Sequence, residues 1–140
     1  MIATADQELG SRKVKFLLDV PQQDGGQWDM VVALFEKYGV VPKVAYPESI
    51  SSSNSRELNQ YLNKLLRQDA QILREAIAAG ADEKAVQAKK EELLQEVFNF
   101  LAINLGLPPR TFDFAYRDKD NSYHSDKNIT PQEFFKKYVG

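Results

Sequence analysis

Two long apolar stripes joined by a short polar link constrain this chain more than any other feature. Leu58, Tyr61, Leu62, Leu65, Leu66, Ile72, Leu73 and Ile77 recur at helical spacing, and Val86, Leu93, Leu94, Val97, Phe98, Leu101 and Leu105 do so again. Asn54-Ser55-Arg56-Glu57 offers an N-cap acceptor followed three residues later by a glutamate, so the first helix starts there. It runs to Ala79 with Gly80 in the C-terminal cap position, and Asp82 caps the second helix, which ends at Gly106-Leu107-Pro108-Pro109. So short a link predicts an antiparallel helical hairpin.

The flanks read differently. Residues 11–18 are a short helix or the approach to one, and Val20-Pro21-Gln22-Gln23-Asp24-Gly25-Gly26 holds the sharpest turn signal, because adjacent glycines permit backbone angles and close approaches that side chains forbid. Trp28, Val31, Val32, Phe35 and Tyr38 then predict a helix of about three turns stopped by Gly39. Ser49-Ile50-Ser51-Ser52-Ser53 reads as a polar connector. Beyond Pro109 the period changes to two: Phe112, Phe114 and Tyr116 mark a half-buried strand, Asp118 to Asn121 a turn, and Ser122-Tyr123-His124 the candidate returning strand. Thr130-Pro131-Gln132-Glu133 is a capping box with a first-turn proline, and Phe134, Phe135 and Tyr138 supply the buried face of the last helix. The expected fold is α+β and predominantly helical, one continuous unit over residues 1–140.

Chemistry is restricted by what the chain contains. It has no cysteine and one histidine, which excludes disulfides, thiolate zinc sites and a thiol nucleophile, and no cofactor or metal is expected. Gly-x-Ser-x-Gly does not occur, and the consecutive serines read as a solvated linker. His124, beside Tyr123 and Asp126, reads as a surface histidine of the hairpin. Asp118, Asp120 and Asp126 lack the glycine and terminal glutamate of a calcium loop, and Lys89-Lys90-Glu91-Glu92 reads as a solvated helix face. Lys and Arg total 18 against 20 Asp and Glu, a net charge of −2 that gives no general attraction for nucleic acid or an anionic membrane. No apolar run reaches the roughly 18 residues of a membrane span, and the first ten residues lack a signal core, so a cytoplasmic location is expected. Gln22 to Trp28, polar and glycine-paired at the mouth of an aromatic helix, is where exposed backbone could pair with an extended peptide; composition alone favours a structural turn.

The wording of that segment shifts the balance. Gln23-Asp24-Gly25-Gly26-Gln27-Trp28-Asp29-Met30, Lys37-Tyr38-Gly39 and Val41-Pro42-Lys43 resemble the aminopeptidase C/bleomycin hydrolase family of papain-like cysteine peptidases. Similar phrasing continues through Ser51 to Asn59, Leu62-Asn63-Lys64, Leu66-Arg67-Gln68-Asp69, Phe112 to Asp118 and Thr130 to Phe134, nearly the whole chain. The resemblance implies a cytosolic thiol aminopeptidase acting on peptides, with a papain-like core, helical insertions and a hexameric ring. It divides the chain into part of the core with a cleft-wall helix (1–47), a helical insertion (48–109) and a β-hairpin with a short helix (110–140). It also implies that Asp24, Gly25 and Gly26 border the cleft, the second glycine's backbone pairing with the substrate. The family's catalytic cysteine, oxyanion glutamine, histidine and asparagine have no counterpart here, and His124 does not take the histidine's role. The chain is therefore expected to be an internal fragment, truncated at both ends and inactive alone; the alternative is a stand-alone helical interaction module.

Overall fold

The computed structural model describes residues 2–22 and 25–140. In chain order its elements are a 3₁₀ turn at Ile2–Thr4, α1 (Arg12–Asp19), α2 (Trp28–Tyr38), α3 (Ile50–Ser53), α4 (Arg56–Ala78), α5 (Glu83–Leu105), β1 (Phe112–Arg117), β2 (Tyr123–Ile129) and α6 (Pro131–Tyr138). The fold is α+β and mostly helical, with one antiparallel two-stranded hairpin among the described residues. It divides into two compact units, one joining residues 2–22 to 49–106 and the other joining 25–48 to 107–140.

The first unit is built on the expected helical hairpin. Gly80 at φ 87° lets the chain leave α4, and the amides of Gly80 and Ala81 donate back to the carbonyls of Ile77 and Ala76, both at 3.0 Å. These two bonds complete a Schellman stop. Asp82 then caps α5 by accepting the Ala85 N–H at 2.7 Å. Leu73, Val86 and Leu93 form the buried centre near the link, with Ile72, Ile77 and Ala81 against it. At the far end Tyr61 stacks on Phe100 at 4.8 Å, so α4 and α5 run antiparallel.

The start of α4 departs from expectation. Ser49 accepts the Ser52 N–H at 3.0 Å and begins α3, so the polar connector is a helical turn. Asn54 ends that turn, its amide donating to the Ile50 carbonyl at 3.1 Å. With Asn54 so engaged, the N-cap position of α4 falls to Ser55, which is in a helical conformation and adds no side-chain cap. The serines are thus a folded joint because Ser49 supplies the cap that composition alone does not reveal.

In the second unit, Phe112, Ile129 and Phe134 are buried together, with Val40, Val41, Phe114 and Tyr138 packed on them. Phe114 meets the Phe134 ring edge-on at 4.8 Å, a favoured aromatic geometry. The box before α6 closes as predicted: the Thr130 hydroxyl accepts the Glu133 N–H at 3.2 Å, and the Glu133 carboxylate accepts the Thr130 N–H at 2.8 Å. Strand β2 is longer than Ser122 to His124, reaching Ile129. Its later residues, Asp126, Lys127 and Asn128, carry no apolar alternation. They are held instead by an irregularity in the register between Phe112 and Phe114, where the Asp113 carboxylate accepts from the Asn128 N–H at 3.0 Å and from Lys127 Nζ at 2.8 Å. Gly39 has φ 77° and ψ −167°, a region open essentially to glycine, and its backbone abuts Pro131.

Candidate functional site

Asp24 lies outside the described residues, so the site is built from Gly25 and Gly26. Both are exposed, and neither has a positive φ. An added Cβ on Gly25 would meet nothing within 4 Å, and one on Gly26 would make ordinary contact with Met30, 3.5 Å from its sulfur. The expected conformational reason for these glycines is therefore not what the structure displays. Side chains would fit within this chain, and the glycines leave the main chain bare. From Gln27, whose carbonyl accepts the Met30 N–H at 3.1 Å, α2 begins with Trp28 largely exposed.

The segment leading to the glycines is held by a row of polar side chains that sequence reasoning missed. Asn63 on α4 accepts the Gln22 N–H at 3.0 Å through Oδ1 and donates through Nδ2 to the Gln22 carbonyl at 2.9 Å. The same Nδ2 donates to the Asn59 carbonyl one turn back at 2.9 Å, which fixes the amide's orientation. One turn on, Arg67 donates to the Leu18 carbonyl at 2.7 Å and to that of Asp19, two groups exposed by the end of α1. Arg74 donates to the Thr4 carbonyl at 2.6 Å and to that of Gln7. Spacings of four and seven residues put these three side chains in line on one helix face. That polar row, interleaved with the leucine stripe, was the available signal.

His124 pairs with Asp118 rather than with a nucleophile. Its Nε2 lies 2.8 Å from the Asp118 carboxylate, and its ring stacks on Tyr116 at 5.0 Å. Asp118 also accepts the N–H groups of Asp120 and Ser122, both at 2.9 Å. The His124 bond, then the Ser122 and Asp120 amides, hold its carboxyl below the usual range. The Asp118 carboxylate thus ties the His124 ring and the amides of Asp120 and Ser122 together at the hairpin turn. Among the described residues no group of three or more His, Cys, Asp or Glu is arranged to hold a metal, and no helix is long and apolar enough to cross a membrane. Asp69 is a buried carboxylate between α4 and α5 whose pKa is pushed up by burial and by Glu96.

The profile of the Peptidase C1-like family matches residues 1–140. Aminopeptidase C of Streptococcus thermophilus is 81% identical over 140 residues, covering 100% of this chain and 32% of that protein. Aminopeptidase C of Lactococcus lactis subsp. lactis is 66% identical over 135 residues, 96% of this chain and 30% of that one. The crystal structure of PepW from Lactobacillus rhamnosis superposes with a TM-score of 0.94 at 57% identity, covering 99% of this chain and 31% of that chain. The chain thus spans about a third of the length of the relatives it matches.

Proposed function

Because the chain belongs to the Peptidase C1-like family, we propose that it is the segment of a cysteine-type aminopeptidase that supplies one wall of the peptide-binding cleft. The observation that carries this reading is the bare main chain at Gly25 and Gly26, exposed at the head of α2 with neither backbone angle nor crowding to require glycine. An extended peptide can approach such a backbone and exchange hydrogen bonds with it, and a side chain on Gly26 would stand in the way. Asp24 extends the same wall by the family resemblance. The substrates are peptides with free N-termini, and the reaction is hydrolysis by a thiolate that must come from outside these 140 residues, since they contain no cysteine. Kinship with bleomycin hydrolase, a hexameric ring and a cytoplasmic location complete the proposal; the family resemblance supports all three.

The test places these 140 residues in the streptococcal relative in exchange for the matched stretch, then introduces Gly26→Val. Its Cβ makes only ordinary contact with Met30, so the fold should survive. Loss of one or two backbone hydrogen bonds, at about 1 to 3 kcal/mol, lowers kcat/KM on peptide substrates by roughly 5- to 100-fold. The 140-residue chain alone is expected to turn over no aminoacyl or peptide substrate. Unchanged kcat/KM in folded Gly26→Val, or turnover by the isolated chain that vanishes in His124→Ala, overturns the proposal.

A further inference from the structure

We infer that a cleft between α4 and α5 receives an arginine side chain from the part of the parent enzyme outside these 140 residues, its guanidinium pairing with the buried carboxylate of Asp69. This rests on the reading of the chain as a segment of a cysteine-type aminopeptidase; the cleft itself lies wholly within the first unit.

The cleft has a volume of about 150 Å³, with Leu66 and Leu73 of α4 and Leu93 and Leu94 of α5 among its walls and Asp69 and Lys90 as its charged groups. Leu73 and Leu93 belong to the buried centre of the helical hairpin while Leu94 is 52% exposed, so the cleft reaches from core to surface. Asp69 is 7% exposed, yet among the described residues its carboxylate accepts no hydrogen bond and joins no ion pair, Lys90 included. A carboxylate taken from water without a partner is costly, and the remedy is a proton or a cation. Burial and then the negative charge of Glu96 push its pKa up, and no cation among the described residues counters them. Leucine walls around an unpaired anion fit a side chain with an aliphatic stem and a cationic head. Arginine suits the place better than lysine, because its guanidinium is more weakly hydrated and its fork meets a carboxylate with two bonds. A free cation would leave Leu94 and, one turn on, Phe98 exposed, whereas a polypeptide bearing the arginine covers them. This chain covers 32% and 30% of the two aminopeptidase C relatives, so most of each lies outside it and can supply that polypeptide.

The experiment makes Asp69→Asn and Asp69→Leu separately, both in the 140-residue chain and in the streptococcal relative carrying these residues, and compares the sign of their effects. In the chain alone each is expected to raise Tm by about 3 °C or more, because it removes an unpaired buried charge; in the whole enzyme each is expected to lower Tm by at least about 3 °C, because it strands the arginine. The chain alone should also bind acetyl-Leu-Arg-Leu-amide at least about 10-fold more tightly than the same peptide carrying citrulline, which has arginine's shape without its charge, and Asp69→Asn should erase the difference. Methyl signals of Leu66, Leu73 and Leu93 report that binding by NMR. If the hybrid enzyme cleaves no peptide, the reading as an aminopeptidase segment is wrong and this inference falls with it. If the hybrid is active but the Asp69 variants leave its Tm unchanged or raise it, no arginine sits in the cleft and the inference alone fails. A lower Tm in the isolated chain would mean that the carboxylate already has a partner there, with Lys90 lining the same cleft, and equal affinity for the two peptides would mean that the cleft selects no cation; either overturns the site. Loss of the isolated chain's self-association in Asp69→Asn would assign the cleft to a second copy, against the occupant inferred.

Discussion

Glycines that look alike in the sequence do opposite work in the structure. Gly39, expected only to stop a helix, has a backbone that requires glycine: an added Cβ would lie 2.1 Å from the Pro131 carbonyl carbon, and its φ of 77° already excludes most side chains. Close packing there lets the Val40 N–H donate to the Pro131 carbonyl at 3.2 Å, drawing the end of α2 against the start of α6. Gly39→Ala is therefore expected to destabilise the second unit by about 3 kcal/mol or more, combining strain with a clash. Thermal unfolding checks this, and a Tm within a degree or so of wild type would contradict it. Gly25 and Gly26, where glycine seemed conformationally necessary, tolerate a Cβ. A dipeptide word announces a turn, but only the neighbouring chain decides which glycine is crowded. Pro131 lies 92 positions after Gly39 in sequence, beyond any local signal.

At the level of elements, what could be read was what is local. The hairpin of α4 and α5 followed from apolar period and from Gly80 and Asp82, each acting within a few residues. The Thr130–Glu133 box was legible for the same reason. The second half of β2 was not, because Asp126, Lys127 and Asn128 are placed by partners on β1 and α6. Those partners make the hairpin acid-sensitive. Lys127 and the Asn128 amide lower the Asp113 pKa, Lys137 and Tyr138 that of Asp126, the His124 and backbone bonds that of Asp118, and Thr130 that of Glu133. A carboxyl held lower in the folded chain than in the unfolded one adds stability above its ordinary range and loses it as pH falls through the folded value. Amide protection at Asn128 should accordingly be flat from neutral pH to about pH 5 and decline below about pH 4. Asp113→Asn with Asp126→Asn should flatten that decline; an unaltered acid profile in the double variant would refute the assignment. The individual effects are small because these pairs face water.

Both units leave large apolar side chains open to solvent. In the second unit Trp28 is 77% exposed, with Met30, Leu34 and Tyr38 on the same helix, and in the first unit Leu94, Phe98 and Ile103 of α5 are uncovered. Taken alone, the 140-residue chain is expected to self-associate and to bind a hydrophobic dye, and Leu94→Glu with Phe98→Glu should weaken the association. Sedimentation as a strict monomer over a wide concentration range, with no dye bound, would count against that expectation. A different consequence follows from the polar row on α4. Asn63, Arg67 and Arg74 grip main-chain groups of residues 4, 7, 18, 19 and 22, and main-chain groups are the same whatever side chain is attached. Mutational tolerance should therefore be lopsided. In a saturation scan, most substitutions at those gripped positions other than proline and those at buried Thr4 should pass, while each of the three gripping residues should accept almost none. Sequence drift can rewrite the strap so long as the buckle keeps its letters.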